Sequence, residues 1–582
     1  MLRMALMLTW LVLGVVRVLW CLMPQTGYIH PDEFFQSPEV MAGDILNLKI
    51  FRTWEFNTSY PTRSVLFPMV TTGFSFTVLK TLHNSGIFGS IVNSYSLLVF
   101  PRFYLTCLSF ILDYSVYHLA CLWGVDPWNA LTLLSGSHVI LVFYTRTFSN
   151  VIEGALFALL LLLVAVDTKQ ASVASHPGKK ERRNNKYLIG IVLVSGFFNR
   201  PTFIGYALVP MLLWLSCDQK GTFQFSLRTI LRSSFGIFSP VIVTTFIFIL
   251  IDTLYFDVLF SEIDCFLKDG NAVHKRIVNL SKHLILTPVN FIWYNLDPEN
   301  LSAHGRHPWF THLTVNSLMM FGALHLSAVA SAIRIIMHKF ACAVGCPVLR
   351  KKQFEKRLLM QFPATAPITE YLILVYFVPV IILSLFSHQE ARFLTPLIVP
   401  VVIHSVLNYE MLRWKTVIVV FNILCSVLFG CLHQGGLIPC LSYLEKALHS
   451  KDPVANQSLI FYHTYMPPRY LLNIRSDQES IRIIDLGGSD ISVLNNTVNG
   501  LLDNYPSKHI RSNQINIYII APGTVQYIIK YCAFQWTTVA SFFPHLSMED
   551  PPNIPFLFSN DGLNQMSLYI FKVHIKSKHS ES

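Results

Sequence analysis

Apolar stretches of about 20 residues recur from the N-terminus to about residue 432, with short polar segments between them. A helix of about 20 apolar residues spans the ~30 Å hydrocarbon core of a bilayer. The predicted spans are Met4–Met23, Trp128–Phe143, Phe148–Val166, Tyr187–Phe198, Phe203–Leu215, Ser233–Ile251, Leu313–Ile333, Ile368–Phe386, Leu394–Met411 and Val417–Leu432. The pattern predicts an all-α polytopic membrane domain over residues 1–432.

The number of crossings between residues 60 and 126 is left open by the same pattern. Two apolar stretches, Val65–Leu79 and Leu97–Cys121, give an even number where the flanking topology needs an odd one. Either one of them lies along the membrane surface, or a third crossing occurs around Ile87–Phe100. The total is about 11 to 13 spans.

After residue 432 the pattern changes to short apolar runs separated by turn signals. Ile481–Leu486, Ile515–Ile520 and Ser567–Ile575 are predicted strands, and glycine-containing turns follow the first two. Residues 433–582 are therefore predicted to form a small α/β domain.

Composition agrees with a membrane protein. Apolar residues make up 52% and charged residues 13%, the mean hydropathy is +0.47, and a soluble domain has roughly 25% charged residues. The net charge of +11 is concentrated in two loops, Lys169–Lys186 and Arg334–Arg357. Because basic loops between spans are retained in the cytosol, they indicate topology rather than a nucleic-acid partner.

This topology places residues 24–63, 253–312 and 433–582 on the opposite, lumenal side. Met4–Met23 lacks a small-residue cleavage site and is predicted to be an uncleaved anchor. The glycosylation sequons all fall on the predicted lumenal side, at Asn57, Asn279, Asn300, Asn456 and Asn495.

The richest group of polar residues is His30-Pro31-Asp32-Glu33, directly after the first span. Two adjacent carboxylates at a membrane boundary suit a general base and its partner beside a membrane-borne substrate. The structural alternative is a helix start with Asp32 as N-cap and Glu33 in the first turn. The residues alone leave both interpretations open.

Further polar clusters are predicted to face the lumen and to bind substrate. Arginine pairs bidentately with phosphoryl oxygens, so Arg200, Arg306 and Arg392 are candidates for a phosphate head group. No Walker loop, GxGxxG, metal-binding DxD pair or CxxC spacing is present, and we expect no metal and no cofactor. The predicted substrate-binding residues are His30, Arg146, Asn150, Arg200, Asp252, Tyr255, His304, Arg306, His307, His388, Gln389, Glu390, Arg392, His433 and Gln434.

The order of these motifs resembles the dolichol-phosphate-mannose-dependent α-mannosyltransferases of the GT-C fold, in glycosyltransferase family 22. The resemblance covers residues 26–436 and includes His30–Glu33, Thr145–Asn150, Arg200–Thr202, Thr287–Phe291 and His388–Phe393. His30–Glu39 and Tyr465–Arg469 are most similar to the branch that adds a fourth, side-branching mannose to the glycosylphosphatidylinositol (GPI) precursor.

The resemblance implies a multi-pass endoplasmic reticulum enzyme with a lumenal active site. It implies an inverting transfer from dolichol-phosphate mannose to the third mannose of the GPI precursor, through an α-1,2 linkage, by a chain that we expect to act as a monomer. Asp32 would be the base, with Glu33 beside it.

Other functions remain possible from the sequence. A sister enzyme would act on another GPI mannose or on the lipid-linked N-glycan precursor. A lipid-linked sugar flippase would show charges on both faces of the bilayer or an inverted repeat, and neither is evident. A non-catalytic assembly subunit would have less reason to keep Asp32, Glu33 and the arginines.

Overall fold

The computed structural model describes most of the chain as two compact units. The first comprises Met1–Leu19, Thr53–Pro68 and Leu105–Asn422, and the second Trp20–Arg52, Met69–Tyr104 and Ile423–Ser582. The domain boundary predicted between residues 432 and 433 stays a prediction. The described residues are 1–86, 91–174, 185–216, 227–258, 284–303, 305–344, 366–408, 413–449, 456–503, 515–529, 532, 534–557 and 562–574.

Helices dominate residues 1–449. The longer α-helices are Leu2–Leu22, Pro38–Leu46, Phe74–Asn84, Ser94–Trp123, Pro127–Ser135, Ser149–Ala174, Lys186–Asn199, Phe203–Ser216, Leu227–Val258, Thr287–Leu296, Ala323–Val344, Ala366–Ser384, Ile398–Leu407, Lys415–Val427, Leu437–His449 and Ile491–Asp503. Short α-helices are Asp32–Phe35, Leu66–Pro68, Pro298–Ala303, Ser317–Phe321, Gln526–Ile529 and Ile554–Leu557. Wider π-helical turns are Met69–Gly73, Val139–Phe143, His312–Asn316 and Leu428–Leu432. Tighter 3-10 turns are Trp54–Phe56, Ala391–Leu397, Arg469–Leu472, Gly523–Val525 and Gly562–Met566.

Several of these helices are suited to a bilayer. Within the described ranges, five are long and apolar enough to cross it: Leu2–Leu22, Ser94–Trp123, Ser149–Lys169, Ser233–Phe256 and Lys415–Leu432. Shorter apolar helices occupy Lys186–Asn199, Phe203–Ser216, Ile368–Ser384 and Ala391–Leu407. The prediction of a mostly helical, multi-span membrane protein is confirmed.

The structure bears on the number of membrane crossings between residues 60 and 126. Ser94–Phe100 forms the first turns of the long helix Ser94–Trp123 and is no separate crossing. The preceding apolar stretch is divided into Leu66–Pro68, Met69–Gly73 and Phe74–Asn84. Residues 87–90 lie outside the described part of the chain.

Arg17, which interrupts the apolar pattern of the first helix, is completely buried. Its guanidinium donates to both carboxylate oxygens of Asp113, at 2.8 and 3.1 Å, and it also contacts the Ser109 and Ser135 hydroxyls. A charge inside a membrane is costly unless it is paired. The ion pair therefore links the helices Leu2–Leu22 and Ser94–Trp123.

The described C-terminal part contains a five-stranded sheet, whose strands are β1 Asn456–Phe461, β2 Ile481–Asp485, β3 Ile515–Pro522, β4 Gln535–Phe542 and β5 Leu568–His574. Their order in the sheet is β2-β1-β3-β5-β4. β1 runs parallel to β2 and to β3, whereas β5 is antiparallel to β3 and to β4. Three strands match the predicted ones, which confirms a small α/β unit; β1 and β4 were not predicted.

One face of the sheet is covered by the helix Ile491–Asp503. Leu494 and Val498 of this helix are fully buried and belong to one cluster with Ile460, Ile519 and Phe571 of the strands. Since burying a large apolar side chain contributes about 1.5–3 kcal/mol, this cluster holds the helix on the sheet.

Candidate functional site

The segment with the two adjacent carboxylates belongs to the second unit. Pro31 is the N-cap of the short helix Asp32–Phe35, and no side chain caps this helix. Asp32 is its first residue. The prediction of Asp32 as an N-cap was therefore wrong, and the prediction of Glu33 in the first turn was right. The Asp32 carboxylate is not used to start the helix.

Glu33 is held in a buried ion pair. Its side chain is 0% exposed, and Nε of Arg102 donates to its Oε1 at 2.8 Å. Arg102 also donates to the main-chain oxygen of Gln25 at 2.9 Å. Because Arg102 neutralises this carboxylate in a site closed to solvent, Glu33 is suited to holding the segment in place rather than to meeting a substrate.

Asp32 is exposed to solvent by comparison. Its side chain is 26% exposed, and its Oδ1 lies 3.3 Å from Nδ1 of His30. The other carboxylate oxygen accepts a hydrogen bond from the side-chain amide of Gln36. The Asp32 main-chain N–H donates to Nδ1 of His30 at 3.1 Å, which fixes the imidazole. Of the two adjacent acids, Asp32 is therefore the one that solvent reaches, and Glu33 is the one enclosed with Arg102.

Two sequence motifs far apart in the chain are bonded to each other here. The carboxylate of Glu39 accepts hydrogen bonds from the main-chain N–H groups of Phe51, Arg469 and Tyr470, at 2.9, 3.2 and 3.3 Å. The Tyr28 hydroxyl donates to the main-chain oxygen of Met466 at 2.8 Å. The segments 28–39 and 465–470 therefore form one structural element of the second unit.

The first unit contains an arginine cluster around the ring of Phe393. The guanidinium carbons of Arg200 and Arg392 lie 5.0 and 5.2 Å from the centre of this ring. Arg392 also lies 5.9 Å from the ring of Phe148. Cations bind favourably over aromatic faces, so the ring stabilises both guanidinium groups.

Two carboxylates accompany these arginines. Glu153 accepts a hydrogen bond from Thr202 at 2.7 Å and lies 3.5 Å from Arg200. Glu390 forms an ion pair with Arg392, and its Oε1 lies 2.8 Å from Nε2 of His388. The predicted residues Asn150, Arg200, His388, Glu390 and Arg392 are thus brought together around Glu153 and Phe393.

The other predicted residues of the first unit have various surroundings. Asn150 donates to Glu153 at 3.4 Å, and Arg146 is fully buried with its Nε bonded to the oxygen of Val142. Nδ1 of His307 accepts from the main-chain N–H of Gln389 at 3.3 Å. Arg306 is exposed and Tyr255 half-buried. His304 lies outside the described residues.

Asp252 is engaged by the protein itself. Its carboxylate accepts hydrogen bonds from the Ser64 hydroxyl, the Val65 main-chain N–H and the Thr287 hydroxyl, at 2.9, 3.0 and 2.8 Å. These bonds tie three segments of the first unit to each other. We therefore assign Asp252 a structural role and leave it out of the proposed substrate contacts.

His433 and Gln434 belong to the second unit with Asp32. Nδ1 of His433 lies 2.8 Å from the main-chain oxygen of Tyr28, and the Gln434 amide donates to the Ser547 hydroxyl at 3.2 Å. Oε1 of Gln434 is buried and has no hydrogen-bond partner among the described residues. Within the same residues no three His, Cys, Asp or Glu side chains are grouped so as to hold a metal ion.

Sequence reasoning missed Arg102 and Gln36. Arg102 follows Pro101 inside the mostly apolar helix Ser94–Trp123. A lone arginine in an apolar stretch of membrane length signals a buried partner, so this position could have been found. Gln36 carries no comparable signal.

The family model and the relatives that this chain matches are all mannosyltransferases. The model of the Alg9-like mannosyltransferase family matches residues 8–472. A human protein named GPI alpha-1,2-mannosyltransferase 4 is 41% identical over 98% of this chain and 94% of its own length. A Drosophila melanogaster protein named GPI mannosyltransferase 4 is 30% identical over 81% of this chain and 72% of its own length.

A solved structure is also similar in part. It is ArnT from Cupriavidus metallidurans bound to undecaprenyl phosphate, with 10% identity and a TM-score of 0.44 over 97% of this chain and 98% of that one. This score is too low for the two folds to be equated.

Proposed function

Because the chain belongs to the Alg9-like mannosyltransferase family and is a glycosyltransferase, we propose that it adds the fourth mannose of a GPI precursor. The donor is dolichol-phosphate mannose, and the acceptor is the 2-hydroxyl of the third mannose. The identity of 41% over 98% of the chain with a human protein named as a GPI α-1,2-mannosyltransferase carries this proposal.

The proposed reaction is a single displacement with inversion. The Asp32 carboxylate takes the proton of the acceptor hydroxyl as its oxygen bonds to the anomeric carbon of the donor mannose. The bond from that carbon to the phosphate oxygen breaks, and the electron pair leaves with dolichyl phosphate. A β-linked donor therefore yields an α-linked product. The partial exposure of Asp32, beside a fully buried Glu33, supports this assignment.

We assign the leaving phosphate to Arg200 and Arg392. Guanidinium groups match phosphoryl oxygens bidentately, and the ring of Phe393 holds both in place. Donors fixed in advance stabilise charge that develops on the leaving group. Asn150, Glu153, His388 and Glu390 position these arginines, and the proposal keeps Arg146, Arg306, His307 and Gln389 as substrate contacts.

Purified protein should transfer mannose from dolichol-phosphate mannose to a three-mannose GPI precursor. An α-1,2-specific mannosidase should remove the added sugar. Cells that lack the protein should accumulate three-mannose GPI and still make normal N-glycans. Accumulation of truncated N-glycan precursors would instead assign the chain to the sister branch of the family.

Transfer should not depend on a divalent metal. Dolichyl phosphate is an anionic leaving group that arginines can stabilise, so neither a metal nor a general acid is needed. Treatment with EDTA should therefore leave the transfer rate unchanged. A rate that collapses with EDTA and returns with manganese would contradict this assignment of the arginines.

We further propose that the active site faces the lumen of the endoplasmic reticulum. Asn57 tests this, because it lies exposed at the end of the 3-10 turn Trp54–Phe56. The protein should carry an N-glycan there, and Asn57→Gln should lower its apparent mass on a denaturing gel by that of one glycan. A sequon inserted into Lys169–Lys186 should stay unmodified. Glycosylation of the inserted sequon and not of Asn57 would reverse the topology.

A further inference from the structure

The three parallel strands of the C-terminal sheet end at the same edge. β1, β2 and β3 end at Phe461, Asp485 and Pro522, and β1 lies between the other two. The chain runs from β1 outward to β2 and then crosses back to β3. In open sheets with parallel strands, ligands bind outside the carboxyl ends of the strands, where the strand order reverses in this way.

Buried hydroxyls follow each of these strand ends. Thr464, after β1, is 5% exposed, and its hydroxyl has no hydrogen-bond partner among the described residues. The buried hydroxyl oxygens of Ser489, after β2, and Thr524, after β3, also lack a partner within the described part of the chain. A buried polar group without a partner is destabilising. A ligand that forms hydrogen bonds with these hydroxyls would offset this destabilisation.

A histidine and an aspartate also lie close together at the same edge. His463 has a left-handed backbone conformation, with φ of +54°, and its N–H donates to the oxygen of Gly487 at 2.7 Å. This bond brings the segments after β1 and β2 together. Nδ1 of His463 lies 2.9 Å from Oδ2 of Asp550. Burial raises the pKa of Tyr462, and the nearby carboxylates of Asp490 and Asp550 raise it further.

These groups indicate the chemical class of the ligand. Hydroxyls both donate and accept, and carboxylates accept from the neighbouring hydroxyls of a sugar. The carboxylates of this neighbourhood outnumber its cationic guanidinium and its two imidazoles. The carboxylates are Asp485, Asp490, Glu549 and Asp550, the guanidinium is that of Arg469, and the imidazoles are those of His463 and His30. The excess of carboxylates disfavours a phosphate there, whereas a neutral polyol can form hydrogen bonds with them.

The loop after β1 joins this edge to the segment of Asp32. Tyr28 donates to the oxygen of Met466, and its ring meets that of Tyr465 edge-on, with centroids 5.4 Å apart. Burial raises the pKa of Glu549, and His463 and His30 both lower it, which places this carboxylate near both imidazoles. The strand ends and the proposed base therefore share one neighbourhood within the second unit.

We propose that the carboxyl edge of the C-terminal sheet binds the carbohydrate of the acceptor, with Thr464, Ser489 and the His463–Asp550 pair as its polar contacts. This inference rests on the proposed function, since it names where that acceptor is held. It explains why the segments 28–39 and 465–470 are bonded to each other: the acceptor would be held by the element that carries the base.

The double variant Thr464→Val, Ser489→Ala tests the site. Loss of two neutral hydrogen bonds should raise the KM for the GPI acceptor about tenfold and leave the KM for the donor unchanged. The thermal unfolding temperature should stay the same or rise, because both substitutions remove buried hydroxyls without partners. Thr538→Val, at an exposed position of β4 in the same sheet, is the matched control and should change nothing.

A second variant covers the case in which the double variant fails to fold. His463→Asn keeps a residue that tolerates φ > 0 and removes the imidazole from Asp550, so it should also raise the KM for the acceptor alone. Saturation-transfer NMR with a soluble mannose trisaccharide should show binding to the unmodified protein and weaker binding to either variant.

The outcomes separate the two proposals. An unmodified protein that binds the trisaccharide at these residues but does not extend the GPI precursor would refute the proposed function and keep the site. Active, folded variants with an unchanged KM for the acceptor would overturn the site and keep the function. The carboxylates could instead attract a small cation, for which ethanolamine is the probe. Binding of ethanolamine in place of the trisaccharide would overturn the carbohydrate assignment.

Discussion

Asp32→Asn should lower the rate of mannose transfer by about 10²- to 10⁴-fold, the usual contribution of general-base catalysis. Asparagine keeps the size of the side chain and can still accept the bond from Gln36, but it cannot take a proton from the acceptor hydroxyl. Folding should survive, since Asp32 caps no helix. The measurement is kcat with both substrates saturating, together with the thermal unfolding temperature.

Asp32→Glu provides a matched variant, because it keeps the base and moves it by one methylene group. It should retain more activity than Asp32→Asn. If Asp32→Asn is nearly as active as the unmodified enzyme, Asp32 is not the base. If Glu33→Gln is folded but inactive at the same time, the base is the other carboxylate.

Arg102→Leu should lower the free energy of unfolding by about 3–5 kcal/mol, because it leaves the carboxylate of Glu33 buried without its cation. The ion pair is closed to solvent, with side chains 3% and 0% exposed. Unfolding can be followed by titration with SDS in mixed micelles. The double variant Glu33→Gln, Arg102→Leu should regain part of the loss, because no buried charge remains.

Arg475→Leu is the control for this experiment. Arg475 lies 3.6 Å from Asp477 in the same unit, but both side chains are more than two-thirds exposed, at 69% and 68%. An exposed pair contributes about 0–1 kcal/mol, so stability should hardly change. An Arg102→Leu protein as stable as this control would show that Glu33 is not held in place by the ion pair.

The local sequence pattern was sufficient to predict some strands of the sheet and not others. β2, β3 and β5 have runs of β-branched and aromatic residues, which predict strands by themselves. β4, Gln535–Phe542, lies at the edge of the sheet and is largely exposed. None of its residues is buried, so the alternation of apolar and polar residues on which strand prediction depends is weak there.

The sequence by itself determined the class of protein, most helix positions and the motifs that carry the family resemblance. These depend on hydropathy over about 20 residues and on short segments, which are local properties. The family resemblance names Asp32 as the base, but the residues alone could not show which of the neighbouring acids, Asp32 or Glu33, is buried in an ion pair.

Only the tertiary structure distinguishes the surroundings of Asp32 from those of Glu33. Arg102, 69 residues from Glu33 along the chain, neutralises one acid, while the other is left partly exposed. In the same way Arg17 is explained by Asp113, 96 residues away. Ion pairing and burial depend on which residues meet in space, and residues far apart in the chain meet only when the helices pack.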